Sequence, residues 1–545
     1  MPIAYIVVTG GVISGLGKGI TTASIGKVLQ SKGFKVTAIK IDPYLNFDAG
    51  TLRPTEHGEV WVTEDGGETD EDLGHYERFL DVKLGKKNNI TTGQVYLEVI
   101  EKERSGEYLG KTVQIIPQVT DEIKRRIRDV AKESLADFVL IEIGGVVGDY
   151  ENIPFLEAVR QMKLEGEKML FVHVGYLPVV KSLGEMKTKP IQHSVKEIRA
   201  LGIQPDFIVC RSEGAVDSVR REKIALFCNV TAEDIIANQD LENVYELPLL
   251  LESQKVGDKI LAKLNLEGKP SNLEEWKNLI EKSKGINNKV KIGIVGKYFD
   301  VGEYSLADSY ISVIEAVKHA AWHSGTMPIF SWIDAKSLEA NNEEEMKKLK
   351  SVDGLIIPGG FGSSGVEGKI RAIRFARESN LPLLGLCFGL QLIVVEFARN
   401  VCGLRDAHST EINPNTENPV VDLLPWQKEL MKESKYGATM RLGGQTVLLK
   451  EHTLAYTLYG KIKVVERFRH RYEINPRYVE ILEKNGFVFS GESEKDEGIM
   501  QIGELPNLDF FIGTQFHPEL TSRPLRPNPL FLGFIKSAKA RASRQ

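Results

Sequence analysis

The 545-residue sequence predicts an α/β protein built from two Rossmann-like domains. Three observations carry that prediction. Short β-branched runs recur between helical stretches, as in a parallel sheet covered on both faces by helices. The alternation breaks once, near residues 265–288, where Gly, Pro, Asn and Lys accumulate, and then starts again. Two glycine-rich turns of unlike chemistry each follow a predicted strand, one in each half. The resulting division is a first domain over 1–266, a linker over 267–289 with one helical piece near Trp276, and a second domain over 290–545.

In the first domain the strands read as 3–9, 36–41, 138–143, 169–174 and 207–210. The first strand feeds Gly10-Gly11-Val12-Ile13-Ser14-Gly15-Leu16-Gly17-Lys18-Gly19, and 20–30 then reads as helix, so the loop sits at a helix N-terminus, where anions are favoured. The loop is an irregular phosphate-binding sequence. Val12 occupies the first glycine position of G-x-x-x-x-G-K-[ST], and Gly19 replaces the hydroxyl residue that meets magnesium. The alternative is a glycine turn that only packs a helix on a sheet, but strand, loop, Lys18 and helix in this order favour phosphate. Magnesium needs hard oxygen ligands. Candidates occur in the acidic run over 63–72, most of which reads as solvated surface, and at Glu142. Glu142, at the carboxyl end of a buried strand, faces the crevice where α/β sheets bind ligands. Lys187 and Lys189, with Lys223 on a helical stretch over 218–227, would suit a second polyphosphate.

In the second domain the strands read as 290–295, 328–333, 354–357, 383–386, 446–449 and 510–515. Gly385-Leu386-Cys387-Phe388-Gly389 follows one of them as a nucleophile elbow with cysteine in place of serine. Its position at a helix N-terminus favours a thiolate. In Gln515-Phe516-His517-Pro518-Glu519, residues two apart in extended chain face the same way, so Glu519 would orient His517 towards the sulfur. The Pro358-Gly359-Gly360-Phe361-Gly362 turn offers amides for an oxyanion. Cys210, Cys228 and Cys402 read as buried structural cysteines.

Composition excludes several classes. A net charge of −5 gives no global attraction to nucleic acid or anionic membrane. The first residues carry no basic leader and read directly into a core strand. The most apolar stretch, 383–398, is shorter than the ~20 residues of a spanning helix and includes Gln391 and Glu396. Four cysteines in so long a chain point to a reducing, cytoplasmic setting.

Several strings are more specific: Lys40-Ile41-Asp42-Pro43-Tyr44, His57-Gly58-Glu59-Val60, Leu73-Gly74-His75-Tyr76-Glu77-Arg78-Phe79, Lys187-Thr188-Lys189-Pro190 and Thr439-Met440-Arg441-Leu442-Gly443. With the two glycine turns and the His517 motif, they make the chain resemble the CTP synthase family over almost its entire length. The resemblance implies a P-loop, dethiobiotin-synthetase-like parallel sheet followed by a class I glutamine amidotransferase domain. It implies a ligase of pyrimidine biosynthesis: ATP phosphorylates the 4-oxygen of UTP, and ammonia from glutamine displaces the phosphate to give CTP.

By the same resemblance, Gly15, Leu16, Gly17, Lys18, Gly19, Ile20, Lys40, Asp72, Arg211, Gln239, Asp240 and Leu241 would hold ATP. Asp72 and Glu142 would ligate Mg2+, with no organic cofactor. UTP, and CTP as feedback inhibitor, would meet Ser14, Asp149, Tyr150, Glu151, Lys187, Thr188, Lys189, Pro190, Ile191, Gln192 and Lys223. Cys387, His517 and Glu519 would be catalytic. Gly360, Phe388, Gly389, Leu390, Gln391, Glu411 and Arg471 would bind glutamine, with the Gly360 and Phe388 amides as oxyanion hole. His57 would gate the ammonia path, beside a loop over 104–110. GTP as activator, a nucleotide-promoted homotetramer and a cytoplasmic location complete the implied picture.

Some positions depart from the family pattern. Ser364 stands where an arginine linked to GTP activation is usual, and Val146, Tyr150 and Asn152 replace Thr, Ile and Ser near the pyrimidine site. Phe468 stands where histidine is common, and the stretch over 299–305 is longer than usual. The alternatives are a P-loop amidoligase acting on a carboxylate, and a filament-forming paralogue without turnover.

Overall fold

The computed structural model describes residues 3–11, 13, 15–53, 57–180, 185–296, 300–301, 304–305, 307–360, 362–425, 427 and 440–544. Ser14, Val12, Phe361, Thr439 and part of the 299–305 stretch lie outside the described residues. The chain divides into two compact units, one comprising Met1–Thr51 and Glu68–Ile280, the other Leu52–Gly67 and Glu281–Gln545.

The first unit is a seven-stranded sheet. Its strands are β1 (Ala4–Gly10), β2 (Val36–Asp42), β3 (Asn89–Thr91), β4 (Phe138–Ile143), β5 (Lys168–Leu177), β6 (Phe207–Ser212) and β7 (Ile235–Gln239). Their order is β7-β6-β5-β1-β4-β2-β3, every neighbouring pair parallel. β1, β2 and β4 are buried along their whole length, which is why their apolar residues do not alternate with polar ones; the charged Lys40, Asp42 and Glu142 fall towards the carboxyl ends of β2 and β4. The helices that matter below are α1 (Lys18–Ser31), α2 (Asp72–Leu80), α3 (Thr92–Arg104), α4 (Thr120–Ser134), α5 (Ile153–Leu164), α6 (Lys189–Ala200) and α7 (Ser218–Cys228). α4 shows the packing logic: Ile123, Ile127, Val130 and Ala131 are buried on one face, and each buried aliphatic is worth about 1.5–3 kcal/mol. Because all strands are parallel, the ends of β1, β2, β4, β6 and β7 open at one edge, the carboxyl edge used for ligands in such sheets.

In the second unit a nine-stranded sheet contains β8 (Lys289–Gly296), β9 (Met327–Asp334), β10 (Gly354–Ile357), β11 (Leu383–Leu386), β12 (Arg441–Leu449), β13 (Lys463–His470), β14 (Val488–Ser493), β15 (Met500–Glu504) and β16 (Phe511–Thr514). The order is β9-β8-β10-β11-β16-β15-β14-β12-β13. The first five are parallel, and the remaining four extend the sheet antiparallel. This mixed sheet differs from the purely alternating pattern read in the sequence. Its helices include α8 (Ile311–His323), α9 (Val366–Glu378), α10 (Phe388–Asn400) and α11 (Pro529–Ala542). α10 is buried on all sides from Phe388 to Ala398, and the two polar residues in that stretch have partners: Gln391 donates to the Tyr472 carbonyl, and Glu396 pairs with Arg377 at 2.8 Å.

The contact division differs from the sequence-drawn boundaries in two places. Residues 52–67 join the second unit, and the first unit runs on to Ile280 through the stretch read as linker. That stretch holds a helix, Glu274–Lys284. Trp276, 2% exposed, explains the extension: its indole N–H donates to the Tyr245 carbonyl at 2.7 Å, and its ring packs on Tyr245 and Phe79. The first segment is tied by backbone, since the Gly444 amide donates to the Glu64 carbonyl at 2.7 Å.

Candidate functional sites

In the first unit α1 begins at Lys18, and Gly17 before it adopts left-handed φ 75°. The Lys18 side chain folds back under the loop, and its Nζ donates to the Gly145 carbonyl at 2.8 Å. Burial lowers its pKa, opposed by Glu142. Next to it Lys40, at the end of β2, lies 3.7 Å from Asp42, 3.5 Å from Asp70 and 3.4 Å from Glu142, and is paired directly with Asp72. Burial works against the Lys40 ammonium, but the surrounding carboxylates outweigh it and raise its pKa well above the ordinary value. Burial also works against the Asp72 carboxylate, yet Lys40, His75 and Lys18 hold it at about 2. Asp42 is pushed to about 7 by burial, and Asp70 and Glu142 are pushed up for the same reason. Two buried carboxyl groups, Asp42 and Glu142, and two part-exposed ones, Asp70 and Asp72, thus surround the Lys40 ammonium beside Lys18, an acidic grouping whose charged forms a divalent cation would favour.

Gly19 explains the irregular loop. A β-carbon built there would collide with the Asp72 carboxylate, so the acid at the start of α2 occupies the space a Ser or Thr side chain would need. Among the described residues no group of three or more His, Cys, Asp or Glu is arranged to hold a metal alone. Magnesium needs less, commonly one or two carboxylates plus substrate phosphates. The donor set of Asp72 and Glu142, beside Lys18, fits that requirement.

The other proposed ATP residues converge on the same helix end. Arg211 on β6 pairs with Asp240 at 2.9 Å and reaches Asn238, whose amide donates to Thr21 Oγ1, in the first turn of α1, at 3.2 Å. Gln239 ends β7, and Asp240 and Leu241 follow it. Among the UTP candidates, Thr188 precedes α6, and Gln192 donates to its hydroxyl at 3.0 Å. Lys189 Nζ lies 5.6 Å from the centre of the Phe227 ring on α7, the helix that carries the exposed Lys223. Lys187 pairs with Glu185 at 2.6 Å. Ile191, fully buried among Leu177 and Ile208, is a packing residue whose side chain faces the core. Asp149, Tyr150 and Glu151 occupy the separate loop after β4. There Tyr150 is 87% exposed, while Asn152 braces the loop by donating to the Val146 carbonyl at 2.8 Å.

In the second unit Cys387 joins β11 to α10 with φ 52° and ψ −102°. For a non-glycine residue this is a strained conformation, held by a bond from its amide to the Thr514 carbonyl at 2.6 Å. Gln515 Nε2 lies 3.6 Å from the sulfur. His517 donates from Nδ1 to Glu519 at 2.6 Å. Burial disfavours the imidazolium, but Glu519 and the Cys387 sulfur override it and hold His517 well above its ordinary pKa. Glu519 does not reach the ring from extended chain, as the sequence suggested. Pro518–Thr521 form a 3₁₀ turn that starts at His517 and folds the carboxylate back.

Around this triad, Gly359 packs against His517 and Cys387, and the Gly362 amide donates to Glu411 at 3.2 Å. Gln391 donates to the Tyr472 carbonyl at 2.8 Å and to Gln515 at 3.3 Å. Gln391 Oε1, His517 Nε2 and Glu519 Oε2 are buried with no hydrogen-bond partner among the described residues. Buried polar atoms of this kind are what a polar substrate would satisfy. Gly360 lies beside Gly359, and Phe388, Gly389 and Leu390 form the first turn of α10. The Arg471 carbonyl accepts from Gln427 at 2.8 Å. Phe468 packs on Phe516 with ring centres 5.7 Å apart. His57 is exposed, in the segment that joins the second unit.

Sequence reasoning missed Asp42 and His173, while Asp70 belongs to the acidic run over 63–72 that held candidate magnesium ligands. Asp42 had a legible signal, an acid ending a buried strand. His173 is buried in the middle of β5, with Nδ1 joined to the Thr9 hydroxyl at 2.9 Å and Nε2 to Ser194 on α6. A β-carbon on Gly11 would strike Ser194, so the loop glycine permits α6 to approach. Burial lowers the His173 pKa to about 3, which keeps the ring neutral. Nothing in an apolar strand distinguishes such a histidine.

Residues 4–266 match the family described as CTP synthase N-terminus, and 305–537 match Glutamine amidotransferase class-I. The chain is 56% identical over 537 residues to the CTP synthase of Pyrococcus furiosus, covering 98% of each. It is 55% identical over 541 residues to that of Saccharolobus solfataricus, covering 98% of this chain and 99% of the relative. Among solved structures, the glutaminase domain of Trypanosoma brucei CTPS with bound acivicin is 36% identical, with a TM-score of 0.42, over 46% of this chain and 93% of that one.

Proposed function

The chain belongs to the CTP synthase family, ATP-dependent ligases that hydrolyse glutamine, and from that premise we propose how its residues divide the work of making CTP from UTP. Membership sets aside the carboxylate-amidating alternative. The observation that carries the reading is the presence, in one chain, of Lys18 beneath a glycine loop and of Cys387 in a strained elbow facing a His517–Glu519 pair.

In the glutaminase half, Cys387 attacks the carboxamide carbon of glutamine. His517 takes the thiol proton and passes it to the departing ammonia, while Glu519 fixes the ring and supports its charge. The Gly360 and Phe388 amides receive the oxyanion, and water then releases glutamate with His517 as base. Gln391, Glu411 and Arg471 hold the amino-acid end of the substrate.

In the synthetase half, the loop from Gly15 to Ile20 with Lys18, Lys40, Arg211 and the Gln239 to Leu241 segment binds ATP, and Asp72 and Glu142 hold Mg2+. When bound, that ion supplies positive charge at the transferring phosphoryl group. UTP lies against Lys187, Lys189, Gln192, Lys223 and the loop at Asp149. Phosphorylation of its 4-oxygen creates a leaving group that ammonia displaces. Ammonia travels past His57 without meeting bulk water, where at neutral pH it would become unreactive ammonium. CTP binds over the UTP site as inhibitor, and GTP acts as activator. The enzyme assembles as a homotetramer; exposed apolar residues on and after α3, among them Leu97, Ile100, Leu109, Ile115 and Ile116, support a surface for subunit contact without fixing the number of subunits. No helix among the described residues is long and apolar enough to cross a membrane. The test is CTP formation from UTP, ATP and glutamine, with and without GTP; absence of CTP under every combination would contradict the reading.

A further inference from the structure

Residues 52–67 leave the sequence of the first unit between Asp42, which ends β2, and Asp72, which begins α2, and pack into the second unit. Their grip is polar and directional. Glu59 Oε2 accepts from the Ser312 amide at 2.9 Å, in the first turn of α8, where a carboxylate also meets the favourable end of the helix dipole. The Glu64 carbonyl accepts from Gly444, which pairs with Arg467 across β12 and β13. Arg467 holds the segment in two ways. It donates from Nη1 to the Val62 carbonyl at 3.0 Å, and its guanidinium lies 5.3 Å from the centre of the Trp61 ring. Trp61 is 1% and Arg467 3% exposed, so the cation lies over the indole out of water, where such contacts are strongest.

The same strand carries the glutaminase chemistry. The Arg467 carbonyl accepts from the His517 amide at 2.8 Å. Two residues on, the Arg469 carbonyl stands 3.6 Å from the Cys387 sulfur. Just before it, Glu466 accepts from Thr521 at 2.7 Å and from Asn528 at 3.0 Å, anchoring the turn that contains Glu519. β13 is the edge strand of its sheet, with β12 as its one neighbour in the ladder. Beyond that ladder, Val464 and Phe468 anchor β13 in the apolar core, and its polar side is held by these contacts and by the Trp61–Val62 chain.

From this juxtaposition we infer that Arg467 is a positioning residue for glutamine hydrolysis, clamping the Trp61–Val62 chain onto β13 and thereby holding His517 in line with Cys387. The inference deepens the functional reading above, on which it rests for the roles of Cys387 and His517. It also gives the glutaminase a dependence on a segment flanked in sequence by Asp42 on one side and Asp70 and Asp72 on the other, residues of the proposed nucleotide site. Lysine cannot replace the arginine, because a point-charge ammonium does not both stack on the indole and donate in a fixed direction to Val62. Phenylalanine at 61 keeps a ring face for the cation, whereas leucine keeps bulk alone.

The test uses the full-length enzyme and its R467K, W61L and W61F variants. For each, the kcat and KM for glutamine-driven CTP formation and the rate of ammonium-driven CTP formation are measured. R467K and W61L should lose about tenfold or more in glutamine-driven kcat, because small displacements of a general base are costly, with KM for glutamine and ammonium-driven synthesis nearly unchanged. W61F should recover most of the loss. Wild-type glutamine-driven kcat in R467K and W61L would overturn the inference, and so would an equal loss with both nitrogen sources, which would mark a general structural role. Wild-type enzyme that makes no CTP from either source would instead overturn the functional reading beneath it.

Discussion

At the scale of single residues, Gly19 and Asp72 explain each other: the loop gives up its hydroxyl, and a carboxylate fills the space. Gly19→Ala should therefore displace Asp72 and lower CTP synthesis at least about tenfold with either nitrogen source, with the fold kept by circular dichroism. An alanine variant with wild-type rates would separate Asp72 from the reaction. His517 makes a pH-dependent prediction. Its pKa is raised in the folded state because Glu519 and Cys387 outweigh the cost of burial. A raised histidine stabilises the fold most fully below about pH 6.5, where the unfolded imidazole is protonated too, and that contribution disappears as pH rises through the folded value. The Tm deficit of Glu519→Gln relative to wild type should accordingly be larger near pH 6 than near pH 9.5. A deficit constant across that range would show that Glu519 does not support an imidazolium.

At the scale of elements, Trp276 turns a stretch of linker composition into part of the first unit. Trp276→Ala should destabilise that unit by about 3–5 kcal/mol in denaturant titration, the usual cost of deleting a buried aromatic. A change below about 1 kcal/mol would mean that the Tyr245 and Phe79 contacts add little. The sequence was most legible where burial is complete on both faces. β1, β4 and β11 are dominated by apolar residues, with Glu142 the one charge among them, and the glycine turns that follow β1 and β11 announced their chemistry. Legibility failed where stability comes from pairing and polar contacts. β13, with Lys463, Glu466, Arg467, Arg469 and His470, looks like surface sequence, yet Glu466 and Arg467 are buried because each has fixed partners. The same failure hid residues 52–67, whose place in the second unit depends on contacts with residues hundreds of positions away, and His173, which hydrogen bonds join to two other elements.

At the scale of the whole molecule, two chemistries share one chain, and the account requires them to be separable. The phosphate loop, Lys18 and the Lys40 carboxylate cluster belong to one unit, and Cys387, His517 and Glu519 to the other. Lys18→Ala should thus abolish CTP formation whatever the nitrogen source, while leaving Cys387 open to alkylation at the wild-type rate; loss of both together would indicate global damage. The most direct measurement of the central claim is CTP formation from UTP and ATP by Cys387→Ala, supplied in turn with glutamine and with ammonium. The account predicts no CTP with glutamine and near wild-type rates with ammonium. CTP formed from glutamine, or none formed from ammonium by folded protein, would contradict it.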